Sequence, residues 1–208
     1  MTIAARIDGD LRVTGALQVD GTTPTVKRTS IEQTADAIFA VPLDSLRVHD
    51  ALATNLPGTA ADDDLALVGG TFGSASPKVS SGDVKAAGCT RYARFQFQLP
   101  AEYDAGQTVT LRASAGMTTT PADGSATLDF EVYKSDREAG IGSDLCGTAA
   151  QSINSTAWAD KSFTITPTGL TAGDVLDVRM TITVVDTATG TAVIADVGAI
   201  EMLIDIRA

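Results

Sequence analysis

The sequence predicts an all-β protein: an antiparallel β-sandwich, jelly-roll-like, carrying an extended N-terminal arm. Three observations predict it. Long stretches alternate apolar and polar residues with a period of two, the mark of sheets with one face in water. The composition is rich in Thr, Val and small residues, with only 5% aromatics, which suits pleated strands and many turns. No amphipathic helical repeat separates the strands, so a parallel α/β arrangement is disfavoured. With 208 residues, 44% hydrophobic and 20% charged, the chain has room for one sizeable domain plus an arm. The expected division is an arm and linker over 1–30 and a sandwich over 31–208.

The arm opens with GDLRVTGALQVDG, in which Gly9, Gly15 and Gly21 recur every six residues. Each interval carries a Leu and a Val two apart, so an extended chain places Leu11, Val13, Leu17 and Val19 on one face. Two repeats are too few to bury that face between themselves. It must fold back on the chain's own sandwich or pack between molecules, and intermolecular packing is the preferred reading. TTPTVKRTS, with Pro24 and no periodicity, is a linker. Ser30-Ile31-Glu32-Gln33 has the form of a helix capping box, but a lead-in to a strand is preferred.

The sandwich elements follow in order. AIFAVPLDSLRV (Ala37 to Val48) places Phe39, Val41 and Leu43 on one parity, and Pro42 restricts this strand to an edge or bends it. ALATNLPGTAADDD (51–64) is a long loop, and LALVGG is a short strand. ARFQFQL turns Ala93, Phe95, Phe97 and Leu99 one way and Arg94, Gln96 and Gln98 the other. TVTLRAS buries Val109, Leu111 and Ala113. TLDFEVYK buries Leu128, Phe130 and Val132 and exposes Asp129 and Glu131. SFTIT buries Phe163 and Ile165. VLDVRMTITVV groups Leu176, Val178, Met180, Ile182 and Val184, and AIEMLIDI groups Ile200, Met202, Ile204 and Ile206. The turns Glu102–Gly106 and Leu170–Asp174 feed two related segments, AGQTVTLR and AGDVLDVR; reversals at Pro121–Gly124 and Thr189-Gly190 complete the pattern.

The charge balance narrows the partners. A net charge of −11 repels phosphate backbones and anionic bilayers, so no nucleic acid and no membrane is expected. The acidic surface is foremost a solubility device, with a basic partner or cation binding as the other readings. MTIAARIDGD shows no signal-peptide pattern, and no run approaches the ~20 apolar residues of a membrane helix.

Chemistry is sparse. The single histidine, His49, stands beside Asp50 without a ligand spacing to Cys89 or Cys146, and reads as a hydrogen-bonded loop residue. The two cysteines read as half-buried hydrophobes, with a disulfide as the alternative. Asp62-Asp63-Asp64 offers oxygens of the kind Ca²⁺ takes but lacks the spacing of a calcium loop, so a solvated acidic loop is preferred. Asp129 and Glu131, about 7 Å apart on one strand face, have the chemistry of a glycosidase pair. Trp158, the lone tryptophan, is a possible ligand contact as a sugar platform, though a sheet-edge or core anchor is preferred. No nucleophile elbow and no cofactor motif is present. The chain is expected to be no enzyme and to need no cofactor or metal.

The glycine hexads resemble the G-x-L-x-V-x-G strings near the N-termini of tailed-phage fibre, head-fibre and appendage proteins. That resemblance covers thirteen residues and implies a structural virion protein, a capsid decoration or head fibre made in the host cytoplasm. The arm residues Leu11, Val13, Leu17 and Val19 would then hold a homotrimer or attach it to the major capsid protein or another virion component. The alternatives are a tail-fibre module recognising host glycans and a carbohydrate-binding or hydrolytic β-sandwich domain.

Overall fold

The computed structural model describes residues 34–207, apart from 86, 121–123, 137, 139 and 188–191. Ten strands are present among the described residues: β1 (Thr34–Ala40), β2 (Ala66–Val68), β3 (Lys78–Ser80), β4 (Gly88–Gln98), β5 (Val109–Thr119), β6 (Ser125–Lys134), β7 (Gln151–Ser152), β8 (Ala159–Ile165), β9 (Val175–Val185) and β10 (Ile194–Arg207). Their pairing is antiparallel throughout and makes two sheets. The first runs β2-β3-β10-β5-β8, with β1 also on β10; the second runs β4-β9-β6-β7. The chain is thus a β-sandwich, as its periodicity predicts.

The two inner faces are built from the predicted residues. Ala93, Phe95, Leu128, Phe130, Val132, Leu176, Val178, Met180 and Ile182 of the second sheet meet Val109, Leu111, Ala113, Phe163, Ile165, Ile200, Met202 and Ile204 of the first in one buried cluster. Two edge-to-face ring contacts join the sheets: Phe130 to Phe163, with centroids 4.9 Å apart, and Phe39 to Phe97, at 6.1 Å. Each such pair contributes about 0.5–1.5 kcal/mol beyond its buried area.

Three local departures from the expected pattern have physical causes. Pro42 ends β1 rather than bending it: the chain leaves the sheet after Ala40 and turns through a 3₁₀ segment at Leu43–Ser45, where the Ser45 N–H and hydroxyl both reach the Pro42 carbonyl. β10 begins at Ile194, five residues before the predicted start at Ala199. A bulge between Val197 and Ala199 shifts its register against β5, so Ala195 and Val197 face inward on the opposite parity to Ile200, Met202 and Ile204. β3 and β7 are too short to show a period at all. Cys89 and Cys146 are both free thiols, and burial raises each above the ordinary thiol value.

The arm residues Leu11, Val13, Leu17 and Val19, and with them the proposed boundary at residue 30, lie outside the described residues.

Candidate functional site

β4 is an edge of the second sheet, and its outward residues are Tyr92, Arg94 and Gln96. Two loop segments are sewn to that edge. Arg47 exchanges both backbone hydrogen bonds with Arg94, at 2.8 and 2.9 Å, which brings His49 alongside. The Asp63 carbonyl accepts the Tyr92 N–H at 2.8 Å, and the Leu65 N–H donates to the Tyr92 carbonyl at 3.0 Å. Asp62 adopts a left-handed φ of 48°, a conformation aspartate tolerates, and the bridge between Ala61 and Asp64 closes the turn. Two loops remote in sequence therefore deliver His49 and the Asp62-Asp63-Asp64 triplet to one strand edge.

The neighbouring strands supply charge. β9 pairs with β4 on one side and β6 on the other, so outward side chains of all three strands form rows. The Arg94 guanidinium grips Asp177 through Nε at 2.7 Å and through Nη2. This bidentate bond, ahead of the cost of burial and the attraction of the Asp177 charge, raises the Arg94 pKa. The Arg179 guanidinium pairs with Glu131, its direct cross-strand partner, and its Cζ lies 4.9 Å from the Tyr92 ring centroid, within cation–π range. The His49 ring also packs against Tyr92, with centroids 4.6 Å apart.

These groups line an open cavity of about 260 Å³ whose wall consists of His49, Arg94, Glu131, Tyr133, Ile141, Asp177 and Arg179. Two ion pairs line it, together with a tyrosine ring and an exposed isoleucine. Four buried side-chain polar atoms have no hydrogen-bond partner among the described residues: His49 Nδ1, Asp64 Oδ1, Arg179 Nε and Asp196 Oδ1. Residues bearing three of the four touch Tyr92 through a ring or a strand bridge. Unmet hydrogen-bonding capacity is rare in folded proteins and costs free energy; its concentration here marks the site.

The other predicted residues fall differently. Asp129 and Glu131 do share the outward face of β6, but only Glu131 reaches the cavity, where Arg179 engages it. Burial, opposed by a bond from the Phe130 N–H at 3.0 Å, raises the Asp129 carboxyl above its ordinary value. Trp158 lies on the other sheet. A Cβ at Gly116 would come within 2.7 Å of its Cδ1, and one at Gly198, the bulge residue, within 2.9 Å of its Cζ3. The indole therefore covers bare backbone of β5 and β10, while 40% of the residue stays exposed. Arg94, Arg179, Tyr92, Tyr133 and Asp177 went unremarked as site residues in the sequence. Their one signal was position on the polar parity of their strands.

No family model matches the chain, and no characterised protein matches its sequence. Among solved structures, the chain is similar to the CBM22-1 xylan-binding domain from Paenibacillus barcinonensis Xyn10C, with 12% identity and a TM-score of 0.37 over 68% of this chain and 81% of that one. The tandem of two such domains from the same protein gives 12% and 0.36, over 68% of this chain and 38% of the tandem. An arabinose-bound α-L-arabinofuranosidase, MgGH51, gives 8% and 0.34, over 80% of this chain and 23% of the enzyme. None of these likenesses carries a residue role across. The virion reading is corrected: these comparisons give a xylan-binding domain and an arabinofuranosidase, and none of the three is a capsid-decoration, head-fibre or other phage protein. The physical reason is the poverty of the hexad motif. Glycine every six residues with Leu and Val between them specifies an extended, closely approachable chain and no partner.

Proposed function

We propose that the outer face of β4, β9 and β6 binds a neutral glycan, and that the protein is a carbohydrate-binding β-sandwich module. The observation that carries this is the cavity lined by the Arg94–Asp177 and Arg179–Glu131 ion pairs and by Tyr133 and Ile141. Adjacent sugar hydroxyls match the paired acceptors and donors of carboxylates and guanidinium groups. The apolar C–H face of a pyranose suits a tyrosine ring and an aliphatic side chain. The ion pairs hold the polar groups in place before a ligand arrives, which lowers the ordering cost of binding. Net charge of −11 favours a neutral ligand over a polyanionic one. A cavity of about 260 Å³ is small among ligand sites and suits one sugar unit of a chain.

The reading is of binding without turnover. Asp129, the member of the carboxylate pair whose pKa is raised, is not among the cavity's lining residues, and Glu131 is held by Arg179 rather than left free as a nucleophile or base.

Titration calorimetry against neutral polysaccharides, xylan among them, and their oligosaccharides tests this. Binding is expected in the wild type and lost in Tyr133→Ala and Arg179→Met, while Trp158→Ala, on the other sheet, retains it. Undiminished affinity in both cavity variants would overturn the site. Glycan hydrolysis abolished by Asp129→Ala or Glu131→Ala would make the protein an enzyme and overturn the non-catalytic reading.

A further inference from the structure

We propose that His49, Asp50 and Asp64 bind one first-row transition-metal dication, at a site that shares His49 with the wall of the glycan cavity and does not depend on what that cavity binds. One donor atom from each of the three lies within 4.8 Å of the others. Ligands at 2.0–2.2 Å from a shared ion stand roughly 3–4 Å apart, so binding requires the set to contract, and Asp50, which is exposed, is the ligand that would turn inward.

Two further observations separate this from an acidic cluster. First, His49 Nδ1 and Asp64 Oδ1 are both buried, both without a hydrogen-bond partner, and face each other at 3.9 Å. That distance is too long for a hydrogen bond and suits two ligands on one ion. Second, the other ring nitrogen, Nε2, faces Asp63 Oδ2 at 3.5 Å. At that distance Asp63 makes no hydrogen bond to the ring. A metal on Nδ1 would leave Nε2 protonated and facing this carboxylate, the arrangement that orients metal-bound imidazoles. Without a cation, a ring nitrogen and a carboxylate oxygen face each other with neither bonded.

The mixed donor set chooses the ion. Imidazole nitrogen with carboxylate oxygen suits Zn²⁺ and its neighbours, whereas Ca²⁺ takes oxygen alone. Three protein ligands leave at least one position for water. The backbone bonds from Arg94 and Tyr92 to the two loops hold the donors in place before the ion arrives.

The test uses the full chain after chelator treatment, with Zn²⁺, Mn²⁺ and Ca²⁺ as separate probes and no sugar present. Because His49 is the sole histidine, its imidazole proton resonances are unambiguous. Stoichiometric Zn²⁺ should shift them, raise the thermal midpoint and give one site by calorimetry. His49→Gln and Asp64→Asn should abolish the titration, and Asp63→Asn should weaken it about tenfold or more. Asp62→Asn, whose carboxylate is outside the donor set, should leave it unchanged. Imidazole resonances unmoved by saturating Zn²⁺, zinc binding that survives His49→Gln, or binding of Ca²⁺ but not Zn²⁺ would each overturn the proposal. The resonance measurement needs no variant to fold, and a negative result leaves the glycan reading untouched.

Discussion

Asp196 shows how a single residue can constrain a sheet. It lies on the outward parity of β10, yet it is fully buried. Lys78 of β3 reaches its Oδ2 at 2.8 Å and the Thr118 hydroxyl donates to the same oxygen at 2.6 Å. A buried carboxylate is tolerable only when paired in this way. Lys78→Met should therefore destabilise by about 3–5 kcal/mol, because it strands a charge rather than merely removing a contact. Combining Lys78→Met with Asp196→Leu should recover most of that loss, since an apolar pair leaves nothing unpaired. Urea unfolding of both variants checks the pattern, and an equally unstable double variant would refute it. The glycines under Trp158 work by the opposite means. Gly116 and Gly198 contribute absence of volume, and the indole shields the backbone they leave bare, as aromatic residues do for edge glycines.

At the scale of the element, β1 is the strand with an internal conflict. It pairs with β10 in a register that sets Asp36 directly opposite Asp205. Like charges so placed repel. The protein relieves this by sharing a proton: a hydrogen bond with Asp36 first, then burial and the charges of Asp36 and Asp104, raise the Asp205 carboxyl above its ordinary 3.8. The folded state thus binds this proton more tightly than the unfolded state. Its contribution to stability is complete below pH 3.8 and is lost as pH rises through the raised value. The β1–β10 pairing should weaken from mildly acidic to neutral pH. Asp205→Asn should cancel this part of the pH dependence and raise stability at neutrality by about 0.2–1 kcal/mol, the lower end being favoured by solvent screening. Thermal midpoints of wild type and variant at pH 4 and pH 7 give the comparison; equal pH slopes would count against the pair.

For the molecule as a whole, the two sheets are held by one core that neither sheet could bury alone. Phe130 and Phe163 cross it edge to face, both buried. Phe130→Ala should cost about 3–5 kcal/mol through lost burial and the cavity it leaves, and unfolding should remain a single transition because every large strand contacts that core. Two transitions in calorimetry would show that the sheets melt separately. The outer faces then divide the work. One carries Trp158 over glycine backbone and the buried Asp196 pair; the other carries the charged cavity and, at its border, His49 among carboxylates.

The sandwich, most of the inward residues of the long strands and the edge placement of the strand before Pro42 were legible in the sequence, because burial on one face of a sheet imposes a period of two along each strand. That period reports only what one strand does with itself. It reads out of phase across the Gly198 bulge and falls silent in strands of two or three residues such as β3 and β7. The site depended on what the period cannot carry. Tyr92, Arg94, Asp177, Arg179 and Glu131 meet because β9 pairs with both β4 and β6, and His49 meets Asp64 because two loops bond to the same edge of β4. Which distant strands become neighbours follows from the packing of the whole core, so the tertiary structure alone brought those side chains within reach of one another.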